Sequence, residues 1–462
     1  MILIDRKKEI EFLNKAYASN KSEFILIYGR RRLGKTHLIK FFADDKEHFY
    51  YIARQRDIEL EFLEFKEKLS KKFNAFFEGK NFEELFEEID SKIQFKKLVI
   101  IIDEFPYWIA KNKEIVSQFQ AIWDEIISKK KIMLIILGSY MSIVENALLS
   151  HKSPIYGRKT GQIELSRMPL FSLLKFFPDK EIEEIIKIYG LGDTIPYYLL
   201  MLDKNNSFNE NLLSLLSQYS PFYTDAETLI REELREYSTY LDILKAVNQG
   251  ATKLSEIANK SKVDITNISK YLNVLMGIKI IEKEKPITST AKEKNYLYKL
   301  RDNYFKFWLR YIYPYKGEIE EKVNEHIAFI EKDYSNYMGS VFEKFCRNFL
   351  RETNIFEFSN VGRWWFKDKE IDLVAINEKN NKILIGECKW KSNINPEVLV
   401  KEIENKSNDI IWKNKKREEE YLIFAKSFSK KISSYNNKKV HCFDLNDISK
   451  ILKKQGENEK DK

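Results

Sequence analysis

Residues Gly29–Thr36 read Gly-Arg-Arg-Arg-Leu-Gly-Lys-Thr, directly after the apolar run Glu23–Tyr28 (EFILIY) and directly before a helical pattern over His37–Phe42. A strand, a glycine loop and a helix in this order, with this spacing of Gly, Gly, Lys and Thr, predict a phosphate-binding loop. Glycines let backbone amides close around a phosphate, and the helix N-terminus favours an anion. Lys35 would contact the β- and γ-phosphates, and the Thr36 hydroxyl would bind Mg²⁺. We therefore expect ATP and Mg²⁺ as cofactors, with nucleotide-binding residues Gly29, Arg30, Arg31, Arg32, Leu33, Gly34, Lys35 and Thr36.

A second apolar run ends in two acids that suit the same site. Leu98–Ile102 (LVIII) is followed by Asp103 and Glu104. A continuous β-branched run is typical of a strand covered on both faces, as in a parallel sheet. Asp103 would bind nucleotide-associated Mg²⁺, and Glu104 would polarise the attacking water as a general base. The alternative is a pair of acids that merely end a strand.

Arginines near these motifs leave two interpretations open. The turn-rich stretch Ser153–Thr160 (SPIYGRKT) contains Arg158, which would stabilise transition-state charge as an arginine finger. The spacing fits a basic surface residue equally well. The three arginines inside the loop would contact phosphate or a partner, or are simply solvated. An arginine that acts on a neighbouring subunit would require a homo-oligomer, so the sequence is compatible with one.

The order of the motifs resembles the archaeal branch of the AAA+/STAND ATPases. The stretches that carry the resemblance are Asp5-Arg6-Lys7-Lys8-Glu9, GRRRLGKT, IIIDEF, LGSY, SPIYGR and Ile195-Pro196-Tyr197-Tyr198. The resemblance implies that the Asp-Arg-x-x-Glu box lies near the adenine. It also implies that Ser139, after the apolar run Lys131–Leu137, binds nucleotide as a γ-phosphate sensor. Two stretches depart from the family: Gly192–Pro196 (GDTIP) stands in place of Gly-Gly-x-Pro, and Ser139-Tyr140 in place of Ser-Ser.

The middle of the chain predicts a winged helix. Helical periodicity starts near Tyr240, Asp264 caps a third helix over Ile265–Met276, and Ile278–Glu282 with Asn295–Leu300 predicts a β-hairpin. The third helix would read a DNA major groove. Its outer residues, which suit phosphates and base edges, are Thr266, Asn267, Ser269, Lys270 and Asn273. Winged helices also serve as spacers between domains or as docks for proteins, and that interpretation stays open.

The last third of the chain contains a second candidate site. Asp372 lies in a predicted strand, and Glu387 and Lys389 share one face of the next strand, Ile383–Trp390, because side chains alternate along a strand. Two carboxylates and a backbone carbonyl make a hard oxygen site suited to Mg²⁺, with Glu343 of the preceding helix as a further ligand. Lys389 would position or deprotonate the attacking water and screen charge on the phosphorane. The alternative is a set of charged strand residues without a function.

The order Glu, Asp, Glu-x-Lys resembles the restriction-endonuclease-like PD-(D/E)xK fold, in its archaeal Holliday-junction-resolvase-like branch. Ile371 stands where that motif has Pro, and Glu370 is an alternative acid two residues before Asp372. Archaeal ATPases of the family named above often carry a C-terminal domain of unknown function 234, which is itself similar to this nuclease fold. The resemblance implies a metal-dependent DNA nuclease, or a scaffold that has kept the nuclease fold.

A chain of 462 residues is too long for one hydrophobic core, and the motifs divide it into three domains. We expect a P-loop ATPase domain with a helical lid (1–230), a winged helix (231–315) and a PD-(D/E)xK nuclease-like domain (316–462). The expected fold class is multidomain α/β: a P-loop NTPase with a parallel sheet, an α+β winged helix, and a restriction-endonuclease-like mixed α/β domain.

Residues 1–230 carry as many basic as acidic side chains, so the whole net charge of +9 comes from the residues after them. That bias is compatible with a nucleic-acid partner in the back half, although a charge of this size does not argue for one by itself.

Two observations bear on the compartment. The three cysteines are too few and too widely spaced for a disulfide framework, and no apolar run has the length of a membrane span. We expect a cytoplasmic protein with ATP and DNA as partners and no membrane.

Two functions follow from the sequence. In the first, nucleotide state governs a DNA nuclease that the winged helix docks. In the second, an ATP-dependent switch or transcriptional regulator uses the winged helix to bind DNA or protein, and the nuclease-like fold is a non-cleaving scaffold.

Overall fold

The computed structural model describes residues 3–234, 236–289, 293, 295–413 and 416–458. The chain forms two compact units, residues 1–167 and 168–462, and each unit contains its own large β-sheet. Within the described ranges, no helix is both long enough and apolar enough to cross a membrane. The expected fold class, multidomain α/β with a parallel sheet followed by a mixed sheet, is confirmed.

The first unit alternates strands and helices. Its strands are β1 (Glu23–Tyr28), β2 (His48–Ile52), β3 (Leu98–Asp103), β4 (Ile132–Gly138) and β5 (Gly161–Glu164). Its helices are α1 (Lys7–Ala18), α2 (Lys35–Ala43), α3 (Ile58–Phe73), α4 (Phe82–Lys92), α5 (Pro106–Lys111), α6 (Ile115–Ala121) and α7 (Met141–Ile143). Two π-helical turns, Ile122–Ile126 and Val144–Leu149, follow α6 and α7, and a 3-10 turn spans Ile127–Lys129.

The sheet of the first unit has the strand order β2-β3-β4-β1-β5, and all of its pairs are parallel. β3 and β4 are buried along their whole length, as strands covered on both faces must be. β4 lies between β1 and β3, so the carboxyl ends of all three strands meet at one edge. That edge carries the loop 29–34, Asp103, Glu104 and Ser139.

Aromatic side chains from β2 and the helices fill one side of this sheet. Trp108 contacts Phe82 and Phe119 with ring-centroid distances of 5.1 Å and 6.0 Å. The Glu61 carboxylate is buried among them, where it accepts hydrogen bonds from the Trp108 indole at 2.7 Å and the Tyr51 hydroxyl at 2.9 Å and pairs with Arg56. These bonds satisfy the acid in an apolar environment.

The second unit contains the rest of the chain. Its helices are α8 (Ser172–Phe176), α9 (Ile182–Gly192), α10 (Pro196–Leu199), α11 (Phe208–Leu216), α12 (Pro221–Glu233), α13 (Tyr237–Asn248), α14 (Leu254–Ser261), α15 (Ile265–Gly277), α16 (Asn303–Phe307), α17 (Lys316–Thr353), α18 (Pro396–Ser407) and α19 (Leu445–Asn458). Its strands are β6 (Ile281–Glu284), β7 (Leu297–Leu300), β8 (Asn360–Phe366), β9 (Lys369–Asn377), β10 (Lys382–Lys389), β11 (Glu418–Ala425), β12 (Ser434–Tyr435) and β13 (Lys438–Phe443). A π-helical turn, Trp308–Ile312, and a 3-10 turn, Tyr313–Tyr315, join α16 to α17.

Helices α13, α14 and α15 are followed by the antiparallel hairpin β6-β7, in the order expected for a winged helix. Ile268, Leu272 and Leu275 give α15 a fully buried face. The segment between the two strands belongs to the expected wing, and residues 290–292 and 294 within it lie outside the described residues. The three-domain division of the chain stays a prediction.

The large sheet of the second unit is mixed, with the order β12-β13-β11-β10-β9-β8. β8, β9 and β10 pair antiparallel, whereas β10, β11 and β13 pair parallel. The 38-residue helix α17, which is interrupted by non-helical backbone at Lys322, packs on β8, β9 and β10. α18 packs on β9, β10 and β11. These two helices therefore flank the strands that carry the second candidate site.

Candidate functional site

The loop between β1 and α2 depends on its two glycines. Gly34 has a φ of 87° immediately before α2, a left-handed conformation that glycine adopts without steric cost. Gly29 passes so close to the end of β5 that a Cβ there would lie 2.4 Å from the Leu165 carbonyl oxygen. A side chain at Gly29 would collide with the backbone of Leu165, and one at Gly34 would strain the backbone, so both glycines are needed for the tight turn of the loop.

Lys35 is held by the same loop. Its side chain is buried, and Nζ donates hydrogen bonds to the carbonyl oxygens of Gly29 at 2.7 Å and Arg30 at 3.1 Å. Arg6, from the Asp-Arg-x-x-Glu box, donates to the carbonyl oxygen of Leu33 at 3.3 Å. The box and the lysine therefore contact opposite ends of one loop.

Thr36 and Asp103 lie within hydrogen-bond distance of each other. The Thr36 hydroxyl donates to Asp103 Oδ2 at 2.7 Å, and the Tyr50 hydroxyl donates to the same oxygen at 2.6 Å. Asp103 is 3% exposed, and its Oδ1 accepts the Glu104 amide at 3.0 Å. Burial and then the Asp103 charge raise the pKa of Tyr50 well above its ordinary value, so its hydroxyl stays a donor. A hydroxyl and a carboxylate are hard oxygen ligands, so Thr36 and Asp103 fit Mg²⁺.

Glu104 connects the ends of two strands. Its φ of 57° is uncommon for a residue with a side chain, and its Oε2 accepts the Ser139 amide at 3.3 Å. Backbone strain of this kind costs roughly 1 to 3 kcal/mol and occurs often at active sites. The geometry is consistent with the roles expected of Glu104 and Ser139, which stay predictions.

Arg158 and Arg31 both have hydrogen-bond partners within the first unit. Arg158 Nε lies 3.0 Å and 2.8 Å from the two carboxylate oxygens of Asp124, and Nη1 donates to the Pro154 carbonyl at 2.8 Å. Arg31 Nη2 donates to the Tyr107 hydroxyl at 2.8 Å. In this structure Arg158 therefore contacts its own Asp124, and an action as an arginine finger stays a prediction.

The second candidate site lies on β9 and β10. Lys389 Nζ is 2.8 Å from Glu387 Oε2 and 4.0 Å from Asp372 Oδ2. The Cys388 amide donates to Asp372 Oδ2 at 3.0 Å. Glu387 and Asp372 are 2% and 7% exposed. The sequence prediction that these three charged side chains lie together agrees with the structure.

Lys406 of α18 belongs to the same group and was not predicted from the sequence. Its Nζ is 2.7 Å from Glu387 Oε1, so each oxygen of Glu387 contacts a different lysine. Lys406 follows Glu387 by 19 residues, in a charged helix where nothing distinguishes it from a solvated lysine. Only the packing of α18 on β10 brings it to the site.

Glu343 of α17 lies beside these residues, with arginines around it. Its Oε2 is 3.7 Å from Arg347 and 3.9 Å from Arg363. Arg347 also donates to the Asp372 carbonyl at 2.8 Å. The alternative acid Glu370 pairs with Arg363 at 2.9 Å and is mostly exposed. Both glutamates therefore lie beside arginines, but burial outweighs the arginine charge at Glu343 and raises the pKa of that acid.

The second candidate site has only some of the ligands that a divalent cation needs. Across the part of the chain that the structure describes, no three or more His, Cys, Asp or Glu side chains form a group able to hold a metal ion. Asp372 and Glu387 are two hard oxygen ligands at adjacent strand positions, and they fit a divalent cation as a two-carboxylate site. Glu343 as a third ligand stays a prediction.

The two buried acids differ in protonation. Burial, and then the charges of Glu343 and Glu387, raise the pKa of Asp372 to about 8. Burial opposes ionisation of Glu387, but hydrogen bonds from Lys389 and Lys406 outweigh it and lower the Glu387 pKa. Burial likewise works against the Lys389 ammonium, yet the bond to Glu387 outweighs it and raises the Lys389 pKa. At neutral pH Asp372 keeps its proton, whereas Glu387 and Lys389 are charged.

The five residues expected to contact DNA are all exposed on α15: Thr266, Asn267, Ser269, Lys270 and Asn273. The Asp264 carboxylate caps α15 by accepting the Thr266 amide at 2.8 Å, and the Thr266 hydroxyl donates to the same carboxylate oxygen at 2.7 Å. A groove of about 630 Å³ runs from the start of α15 to the hairpin. Its lining includes Tyr296, whose ring centre lies 3.6 Å from Lys283 Nζ.

Comparison with known proteins matches two stretches of the chain to families. Residues 3–202 match the family described as an ATPase domain predominantly from Archaea. Residues 308–407 match the domain of unknown function 234, described as archaeal and bacterial proteins of unknown function. The second match contains Asp372, Glu387, Lys389 and Lys406. The front of the chain is therefore an ATP-binding P-loop ATPase domain.

One solved structure shares the fold of this chain, a second is similar at a lower score, and a relative matches nearly the whole chain. The Walker-type ATPase PABY2304 of Pyrococcus abyssi superposes with a TM-score of 0.51 at 21% identity, over 67% of this chain and 96% of that one. The ORC2 protein of Aeropyrum pernix, solved as ADPNP-ADP complexes, gives a TM-score of 0.44 at 14% identity, over 71% and 97%. Uncharacterized protein MJECL04 of Methanocaldococcus jannaschii is 36% identical over 455 residues, 97% of this chain and 100% of the relative. The chain therefore belongs, with MJECL04, to the archaeal ATPase family that joins this ATPase domain to a C-terminal domain of unknown function 234.

Proposed function

We propose that ATP binding and hydrolysis in the first unit govern a Mg²⁺-dependent DNA nuclease in the C-terminal domain. The observation that carries the nuclease part is the contact of Lys389 with two buried carboxylates, 2.8 Å from Glu387 and 4.0 Å from Asp372. Burial of several charged groups in one place is costly, and strongly shifted pKa values cluster at functional sites. The raised pKa of Asp372 supports the proposal for the same reason.

Each residue of the nuclease site would have a separate task. Asp372, after releasing to solvent the proton that it keeps in the metal-free protein, would hold Mg²⁺ together with Glu387, and the cation would supply an activated water and charge stabilisation at a phosphate. Lys389 would orient the attacking water and screen phosphate charge. It would not act as the base, because its raised pKa keeps it protonated. Lys406 would add a second positive charge beside Glu387.

The proposed ATPase mechanism uses residues of the first unit that lie close together in the structure. Lys35 and the loop amides would bind the β- and γ-phosphates, and Thr36 and Asp103 would hold Mg²⁺. Glu104 would polarise the attacking water, and Ser139 would contact the γ-phosphate. These roles give the hydrolysis step that the ATPase assignment implies.

DNA and further copies of the chain are the proposed macromolecular partners. The exposed face of α15 would contact DNA, in keeping with the basic excess behind residue 230. Arg158, which pairs with Asp124 here, would act as a finger on a neighbouring ATPase domain, so a homo-oligomer is part of the proposal. The proposed compartment is the cytoplasm.

A second candidate function is an ATP-dependent switch or transcriptional regulator with a non-cleaving nuclease-like scaffold. One observation favours it, namely that both oxygens of Glu387 are bound by lysines at 2.7 Å and 2.8 Å. In this arrangement two lysines already balance the charge of Glu387 without a cation, as a purely structural role of the site requires.

DNA cleavage separates the two functions. Plasmid, single-stranded and branched DNA are incubated with the full chain and Mg²⁺, with and without ATP. The nuclease function predicts cleavage that Lys389→Ala abolishes and that chelation of Mg²⁺ prevents. The matched control is Lys391→Ala, which removes an exposed lysine two residues further along the chain and should cleave like the wild type. Absence of cleavage on all three substrates in both nucleotide states would eliminate the nuclease and leave the switch.

A further inference from the structure

We propose that Tyr50 is a positioning residue of the ATPase site, which fixes the orientation of the Asp103 carboxylate for Mg²⁺. Two hydroxyls donate to the same oxygen of Asp103, that of Thr36 at 2.7 Å and that of Tyr50 at 2.6 Å. The inference rests on the Mg²⁺ site proposed above, to which it adds a residue that does not itself bind the cation.

The register of β2 and β3 brings Tyr50 to this site. Tyr50 pairs with Ile101, and Ile52 pairs with Asp103 in the parallel ladder. Residues that pair across parallel strands, and residues two apart along a strand, point to the same face. Tyr50 and Asp103 therefore lie on one face of the sheet, close enough for the phenol to reach the carboxylate.

The neighbours of Tyr50 on β2 have a different task. Phe49 and Tyr51 point to the opposite face, where both pack against Phe65 at centroid distances of 4.9 Å and 5.1 Å. The Tyr50 ring instead lies near the helix that follows the phosphate-binding loop, with Lys40 Nζ 5.0 Å from its centre. Packing in the aromatic core explains the aromatic side chains of Phe49 and Tyr51. It does not explain a tyrosine at position 50, because Tyr50 lies on the other face of the sheet.

The two hydroxyl groups that donate to Asp103, those of Thr36 and Tyr50, have different roles at the proposed Mg²⁺ site. Thr36 is itself an expected ligand of the cation, so its contact with Asp103 competes with that task. Tyr50 has no expected role as a ligand, and its hydrogen bond remains available to hold Asp103 in place. Partners of this kind, which orient a ligand without touching the metal, contribute strongly to metal affinity in other proteins.

The test is Tyr50→Phe, which removes the hydroxyl and keeps the ring. ATP binding to the full chain is measured by calorimetry over a series of Mg²⁺ concentrations and in EDTA, so the readout does not depend on turnover. We expect the Mg²⁺ concentration for half-maximal tightening of ATP binding to rise about tenfold, while binding in EDTA is unchanged. The matched control is Tyr51→Phe, which loses a hydroxyl on the opposite face of the same strand and should keep the wild-type Mg²⁺ dependence.

Three results would overturn the assignment. One is a wild-type Mg²⁺ dependence in Tyr50→Phe. Another is an equal loss of ATP affinity with and without Mg²⁺, since that pattern reports a damaged loop. The third is a wild-type protein whose ATP binding is indifferent to Mg²⁺, which would remove the proposed Mg²⁺ site together with the task of Tyr50.

Discussion

Asp193 and Lys344 form a buried ion pair, with Lys344 Nζ 2.8 Å from Asp193 Oδ1. The Asp193 side chain is 1% exposed, and its Oδ2 accepts the amide of Asn303 at 2.7 Å. Lys344 also donates to the Arg301 carbonyl at 2.6 Å. The pair therefore links the stretch GDTIP, which departs from the family pattern, to α16 and α17.

Lys344→Met should destabilise the second unit by roughly 3 kcal/mol, because it leaves an uncompensated carboxylate in the interior. Urea unfolding followed by intrinsic fluorescence measures the loss. Lys332→Met, at an exposed position of the same helix, should leave the unfolding free energy nearly unchanged. The double variant with Asp193→Asn should recover part of the loss, and a full loss in the double variant would contradict the ion-pair explanation.

Lys35→Ala should abolish measurable ATP binding and hydrolysis, because it removes the ammonium that the loop holds for the phosphates. A fluorescent ATP analogue and phosphate release measure the two losses. Lys129→Ala removes an exposed lysine of the same unit and serves as the control. Tight nucleotide binding by Lys35→Ala would show that the phosphates bind elsewhere.

The raised pKa of Asp372 predicts a pH dependence of stability. The folded protein binds a proton at Asp372 up to about pH 8, whereas the unfolded chain releases it near pH 4. Between these values the folded state holds the extra proton, so the free energy of unfolding should fall as pH rises, by at most roughly 1.4 kcal/mol per unit.

Asp372→Asn lacks this proton exchange, and its stability should depend less on pH than that of the wild type. Chemical denaturation of both proteins in EDTA, at about pH 5, 6, 7 and 8, measures the difference. Parallel pH profiles of the two proteins would mean that Asp372 ionises normally in the folded state.

Lys406→Met tests the lysine that the fold adds to the nuclease-like site. If the site cleaves DNA, loss of a charge next to Glu387 should lower the cleavage rate by roughly 10 to 100-fold, as loss of an outer partner does elsewhere. Lys401→Met, at an exposed position of the same helix, provides the comparison. Equal rates for Lys406→Met and the wild type would restrict the site to the three residues expected from the sequence.

DNA binding by α15 should depend steeply on salt, because phosphate contacts release counterions. Lys270→Ala should weaken binding and reduce the slope of log affinity against log salt concentration by about 1. Lys204→Ala, at an exposed position outside the predicted winged helix, should not change the slope. Absence of binding at low salt would favour a protein-docking role for this segment.

The sequence predicts well those elements whose pattern is local. β1 has the predicted bounds, and the apolar runs predicted at Leu98–Ile102 and Lys131–Leu137 are strands within one residue at each end. A continuous apolar run in a parallel sheet is buried on both faces, so its composition alone reveals it. Asp103 directly follows one such run and Ser139 comes two residues after the other, so the pattern predicts both at the carboxyl ends of strands.

Other residues of the two sites are brought there by contacts between segments that are distant in the sequence. Tyr50 lies on β2, whose burial alternates along the strand, and its partner Asp103 is 53 residues away. Lys406 looks like any lysine of a charged helix until α18 is packed on β10. Pairing across strands and helix packing create these contacts, and neither leaves a local signal in the chain.

Glu343 and Lys344 are consecutive residues of α17. Lys344 binds the segment after α9 through Asp193, whereas Glu343 lies beside Asp372 and the arginines of the nuclease-like site. Adjacent residues of a helix are displaced together, because the backbone between them is rigid on the scale of one turn. One turn of α17 therefore supplies both the buried ion pair with the segment after α9 and an acid beside the nuclease-like carboxylates.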